Sequence, residues 1–379
     1  MKPATLEFIR QRFSAYYETG YLIPPPALQE REWAFIFFDP SFPDIHMCRH
    51  IAFAGKHELF DYLKSIIPAH VFHSCAYYIS PSAPTMAEKT WTGADLIFDL
   101  DADHIARGPY HIMLERVKEE TIKLIKMLTD ELGFDTRSIE VVFSGGRGYH
   151  LHIRDIAVRG WGSQERRELI DYVCGIGINP KEMLVPSIGQ SLGWRRRFIG
   201  ALKSYMEWLH RGNKEEMLKH LSSLDGMSKR SVDLFLEKLD EYIRLVNEGA
   251  PDFFLRQRMM IALLANTNKE FTKHLRERAA LADEPVTTDI KRLIRMPTSL
   301  HGGSGLRVTP LSVKDLQEFD PLIDAVVFGT REIAIETQSD ITIQLLGNRY
   351  ILQKREISNV PEAVAVFLCC RGIAEIASG

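Results

Sequence analysis

Two aspartates one residue apart, Asp99 and Asp101, close the run Asp95-Leu-Ile-Phe-Asp-Leu-Asp-Ala-Asp-His104. Its apolar stretch is too short for an ordinary helix and reads as a buried strand. Leu96, Phe98 and Leu100 then fall on one face, with Ile97, Asp99 and Asp101 on the other. The two carboxylates point the same way, roughly 6 to 7 Å apart along the strand. Like charges that close, among apolar neighbours, oppose each other's ionisation unless a cation lies between them. A divalent ion is the natural cation. Carboxylate oxygens, with phosphate oxygens completing the shell, are how proteins usually hold catalytic magnesium or manganese. The plainer reading is that the acids are the polar start of a loop.

A second cluster follows the strand-like Ile139-Glu-Val-Val-Phe143: Ser144-Gly-Gly-Arg-Gly-Tyr-His-Leu-His152. Three glycines around an arginine let backbone amides approach an anion such as a triphosphate, while Ser144 and Arg147 add donors. No Gly-Lys-Ser/Thr follows, so this is not a Walker loop, and the dinucleotide spacing also fails. The glycines could equally serve a tight turn. His150 and His152 share a face if the chain is extended there; without a third ligand nearby, phosphate contact is the better role for His150, and His152 is left unassigned. The third cluster runs from Asp283 through Asp289, Lys291, Arg292 and Arg295 to His301 and Gly-Gly-Ser-Gly. A solvated basic helix is one reading of it. The other has Asp283 as the third oxygen ligand of a two-metal phosphoryl-transfer site.

The elements that must position these groups read as mixed α/β structure. Amphipathic spacing predicts helices over 4–18, 56–67 and 114–128. Apolar runs predict strands over 32–38, 47–53, 76–80 and 139–143, and a hairpin over 341–353 turning at Gly-Asn-Arg. A last helix is expected to start at Pro361. Arg49 lies inside an apolar run, so it either pairs internally or faces an anionic ligand. Residues 205–275 turn almost wholly helical and read as an inserted subdomain, leaving 1–204 and 276–379 as the core. With 379 residues, 45% hydrophobic and 26% charged, the chain has the composition of an ordinary globular protein. A formal charge of −3 confines any nucleic-acid contact to a local groove. Five scattered cysteines suggest neither a disulfide framework nor a cysteine-rich zinc site. No stretch approaches a membrane span and no signal segment opens the sequence, so the expected location is the cytoplasm.

The three clusters, in this order, resemble the catalytic small subunit of archaeal and eukaryotic DNA primases, the archaeal form most closely. Weaker likeness runs from Arg31-Glu-Trp to Arg371-Gly-Ile-Ala-Glu. The resemblance implies an α/β (α+β) primase core, a mixed antiparallel-rich sheet flanked by helices. It implies that Asp99, Asp101 and Asp283 are the catalytic carboxylates holding Mg2+ or Mn2+, and that Ser144, Arg147, His150, Arg295 and His301 hold the triphosphate, with Arg49 near the same pocket. It also implies nucleoside triphosphates as substrates, a single-stranded DNA template and a large-subunit partner carrying an iron-sulphur cluster. Relatives in that family usually carry a zinc knuckle after the aspartate strand. Residues 105–127 contain no cysteine and only His111 as a remnant, so zinc is not expected. Trp194-Arg-Arg-Arg197 is a candidate contribution to a template groove. Two other readings stand beside this one. Phe98-Asp-Leu-Asp also resembles the nucleophile motif of haloacid-dehalogenase-like phosphatases, although Ala102 follows the second acid and the motif lies far from the N-terminus. The second is a non-catalytic nucleic-acid-binding subunit.

Overall fold

Strand Leu96–Asp101 forms where its alternation places it, with Leu96, Phe98 and Leu100 fully buried and Asp99 and Asp101 half-buried. The computed structural model describes residues 1–38, 46–105, 107–184, 193–266 and 268–377. They divide into two compact units, one of residues 1–125, 134–168 and 282–379, the other of 126–133 and 169–281.

The first unit is built on antiparallel sheets, as expected of an antiparallel-rich α+β core. One four-stranded sheet has the order Met47–Ile51, Trp33–Phe37, Pro68–Ser74, Leu293–Arg295. The other has the order Thr309–Leu311, Ile139–Phe143, Gly148–Ile153, Leu96–Asp101, so the aspartate strand lies at an edge. The sheets meet at buried histidines: the His73 and His152 rings are 6.2 Å apart. Helix Pro3–Thr19 buries Ile9, Phe13 and Tyr17, a four-residue spacing that makes one apolar stripe. A smaller sheet, Ile357–Pro361, Glu332–Thr337 and Ala374–Ile376, carries the last helix, Glu362–Cys370. Pro361 stands just before that helix, one position earlier than expected.

The hairpin Ile341–Leu345 and Asn348–Leu352 turns through Leu346-Gly347, both at positive φ (53° and 73°), the conformation a two-residue hairpin turn requires. Asn348 and Arg349 therefore belong to the strand rather than the expected turn. Strand Pro68–Ser74 gave no period-two signal, because His70 and His73 interrupt its apolar residues.

The second unit is helical. Phe198, Leu202, Tyr205, Leu209, Phe235, Tyr242 and Phe271 meet in its core. Helix Lys269–Arg276 starts at the buried Asn268, whose Oδ1 accepts from the Glu270 and Phe271 N–H groups while its amide donates to Tyr205 Oη and the Leu264 carbonyl. The expected boundary at residue 205 falls inside the continuous helix Gly193–Arg211, and this unit begins its main segment at 169. Among the described residues, no helix is long and apolar enough to cross a membrane.

Candidate active site

Asp99 and Asp101 face the same way from their edge strand, registered against His150 and Gly148 of the neighbouring strand. His150 Nε2 comes within 3.4 Å of Asp99 Oδ1. The third acid arrives from far along the sequence: the Asp283 N–H donates to the Asp99 carbonyl at 2.8 Å. Below them Ile97, Val286 and Ile294 share one apolar cluster, which fixes residues 283–288 against the aspartate strand. Asp283 precedes the short helix Glu284–Thr288, where a carboxylate ordinarily caps the first turn, yet it accepts no capping bond. Its oxygens are left for another partner. Asp289, in contrast, accepts the Lys291 N–H in a local turn.

Burial, followed by the charges of Asp101 and Asp283, pushes the Asp99 carboxyl up to about 7, against the pull of Arg292 and Arg295. Three hard-oxygen side chains whose charges oppose one another are a donor set suited to Mg2+ or Mn2+, and a cation would relieve the strain on Asp99. Among the described residues no group of three or more acid, histidine or cysteine side chains closes far enough to enclose an ion unaided.

Next to the acids is a cleft of about 460 Å³, lined by Asp101, Ser144, Gly146, Arg147, Arg295 and His301 among others. The glycine loop shapes one wall. Gly145 has φ +75°, and a Cβ there would meet the His301 Cβ at 2.7 Å. A Cβ at Gly148 would run into the Leu100 carbonyl, so glycine is what lets the loop strand lie against the aspartate strand. Ser144 Oγ accepts from the Gly146 and Gly148 N–H groups, at 3.3 and 3.2 Å, and so organises the loop from within. Its hydroxyl proton remains available to donate. Tyr110 Oη donates to the Gly146 carbonyl, and Ser304 Oγ donates to the Gly145 carbonyl at 2.5 Å.

His301 is kept neutral, its pKa pushed well below the usual value by burial and then by Arg295 and His70. Its Nδ1 accepts from the Gly303 N–H at 3.2 Å, so the proton sits on Nε2, the nitrogen nearest Gly146. Arg295 packs over the Phe72 ring at 5.4 Å, and among the described residues its buried Nε has no hydrogen-bond partner. Burial lowers its pKa to about 10 while Asp99 and Asp101 oppose the shift. It stays charged. Arg147 reaches Asp103 at 2.5 Å across the mouth of the loop.

Not every expected residue joins the cleft. His150 is buried against Asp99 and does not line it. Arg49 lies on the outer strand of the first sheet, where Nε pairs with Glu32 Oε1 at 3.1 Å, the internal pairing that its position allowed. Trp194 and Arg197 are engaged inside the helical unit: Trp194 Nε1 donates to the Tyr172 carbonyl, and Arg197 pairs with Glu131 at 2.6 Å. Arg196 of the same run stays exposed, 3.8 Å from Glu131. Tyr110, Ser304 and Arg371 are cleft or loop residues that sequence reasoning passed over. Ser304 sat in the glycine-rich turn already noted after His301; Tyr110 and Arg371 sit at helix ends, where such residues are unremarked.

Residues 98–313 match the family model for the DNA primase small subunit. The DNA primase small subunit PriS of Methanosphaerula palustris is 56% identical over 379 residues, covering 100% of both chains. That of Methanoregula boonei is 56% identical over 377 residues, again covering 100% of both. The Methanospirillum hungatei protein of the same name is 49% identical over 381 residues, covering 99% of this chain and 98% of its own. The phosphatase alternative finds no support in these relatives.

Proposed function

The chain belongs to the DNA primase small-subunit family, and on that premise we propose that it is a primase catalytic subunit, a nucleotidyltransferase that builds short primers on single-stranded DNA from nucleoside triphosphates. The observation that carries the reading is the meeting of Asp99 with Asp101 and Asp283 beside a cleft bearing Arg295 and His301.

Bound Mg2+ or Mn2+ supplies neutralisation of the triphosphate and activation of the growing strand's 3′-hydroxyl. Asp99, Asp101 and Asp283 would hold it. Arg295, stacked on Phe72 and retaining a free donor, clamps the phosphates. His301 offers Nε2–H, and the Gly146 loop offers its edge and the Ser144 hydroxyl. These groups are fixed before substrate arrives, and positioning with electrostatics carries most phosphoryl-transfer catalysis. His150 acts on Asp99, limiting how far that carboxylate can turn. Arg147 must share itself between Asp103 and a phosphate. Arg49 has no part in this reading beyond its pair with Glu32. The template is single-stranded DNA, the partner is a large subunit, the helical unit is an inserted subdomain, and the site of action is the cytoplasm.

Incorporation of labelled nucleotides on unprimed single-stranded DNA tests the reading, with the large subunit present and with Mg2+ or Mn2+ added or withheld. Metal-dependent incorporation is expected. DNA binding without metal and without incorporation would establish the non-catalytic alternative instead.

A further inference from the structure

The last helix ends at the cleft. After Glu362–Cys370, the Ile373 N–H donates to the Leu368 carbonyl at 2.9 Å and the Gly372 N–H to the Cys369 carbonyl at 3.0 Å, with Gly372 at φ +68°. This paired closure with a left-handed glycine is a firm way to end a helix. It fixes the backbone of Arg371, which lines the same cleft as Asp101, Arg295 and His301.

The Arg371 guanidinium lies 4.7 Å from the Tyr110 ring centroid and 5.2 Å from that of Phe367. Stacking holds the planar head without consuming its N–H donors. Among the described residues no carboxylate lies within ion-pair distance of it, whereas Arg147 is already paired with Asp103. The ring beneath it is also the one whose hydroxyl holds the Gly146 carbonyl. An oriented cation with no ion-pair partner among the described residues thus borders the cleft from a further segment of the chain, outside all three sequence clusters.

We propose that Arg371 binds the polyphosphate of the incoming nucleoside triphosphate, as a further contact beside Arg295 and His301. The assignment rests on the reading of this cleft as the triphosphate pocket. It makes Tyr110 a positioning residue that aligns Arg371 and the glycine loop together.

The test compares the unsubstituted chain with R371A, R371K, R371M and R295A, measuring the KM for nucleoside triphosphate, inhibition by inorganic tripolyphosphate and affinity for single-stranded DNA. Charge-assisted contact predicts that R371A and R371M raise both the KM and the tripolyphosphate inhibition constant about tenfold. DNA affinity holds, and R371K recovers part of the loss. R371M keeps apolar packing on Tyr110, so wild-type behaviour in R371M would reduce Arg371 to a packing residue and overturn the proposal. So would loss of DNA affinity in place of the KM effect. If R295A weakens triphosphate binding and R371A does not, only the Arg371 assignment fails. If neither does, the triphosphate pocket itself is wrong.

Discussion

The Asp283 N–H donates to the Asp99 carbonyl across 2.8 Å, main chain to main chain, joining two segments that lie far apart in the sequence. Because neither carboxylate takes part in that bond, substituting a side chain changes the charge of the site and leaves the backbone link in place. The apolar contact of Ile97, Val286 and Ile294 beneath it is equally indifferent to charge. Activity and architecture can therefore be separated by mutation.

Arg295→Ala and His301→Ala should raise the KM for nucleoside triphosphate about tenfold or more, with little change in DNA affinity, since a desolvated cation and a fixed Nε2–H both face the cleft. Steady-state kinetics beside a DNA-binding titration checks this. A collapse of DNA affinity would reassign both side chains to the template.

The glycines should divide by what surrounds them. Gly148→Ala forces a Cβ onto the Leu100 carbonyl and should cost about 2 to 3 kcal/mol of stability, as backbone cannot give way. Gly146→Ala meets only the His301 ring, 3.1 Å from Nε2, and should leave the melting temperature nearly unchanged while raising the nucleotide KM. Thermal melts and kinetics on the two variants separate the cases.

Stability should fall as the solution turns acidic. His73 and His152 are fully buried, and burial holds both pKa values well below the usual 6.5. A group whose folded pKa is depressed binds fewer protons folded than unfolded, so its contribution is complete above the unfolded pKa and is lost as pH drops below it. Each histidine should cost the fold about 2 kcal/mol by pH 5. Melting temperatures measured from pH 7 to pH 5 should decline, and His152→Gln should flatten the decline. A flat profile in the wild-type chain would show that these rings are protonated or exposed.

Much of this architecture could be read in the residues, and what could not has physical causes. The aspartate strand was legible because burial on one face imposes a strict period of two on Leu96, Phe98 and Leu100. Helix Tyr110–Asp130 was legible for the matching reason at its own period. Strand Pro68–Ser74 was not, since His70 and the buried His73 read as polar and only the fold reveals that they are neutral. The glycine loop's chemistry was visible in its residue types, but the inward turn of Ser144 depends on hydrogen bonds to the backbone amides of Gly146 and Gly148. Arg49 showed both of its options in sequence, and the choice lay with Glu32, just before the adjacent strand. Tyr110 and Arg371 stack on each other from distant parts of the chain, a relation that no local spacing encodes.

The central claim is that Asp99, Asp101 and Asp283 act as one unit, and single-turnover nucleotide incorporation by Asp99→Asn, Asp101→Asn, Asp283→Asn and the Asp101→Asn/Asp283→Asn double variant tests it most directly. Groups that act together are strongly non-additive, so each single variant should lose about 10³-fold or more and the double variant little beyond that. Melting temperatures should hold or rise, because each change removes like-charge repulsion around Asp99. Full activity in any single variant, or losses that simply multiply in the double, would contradict the account.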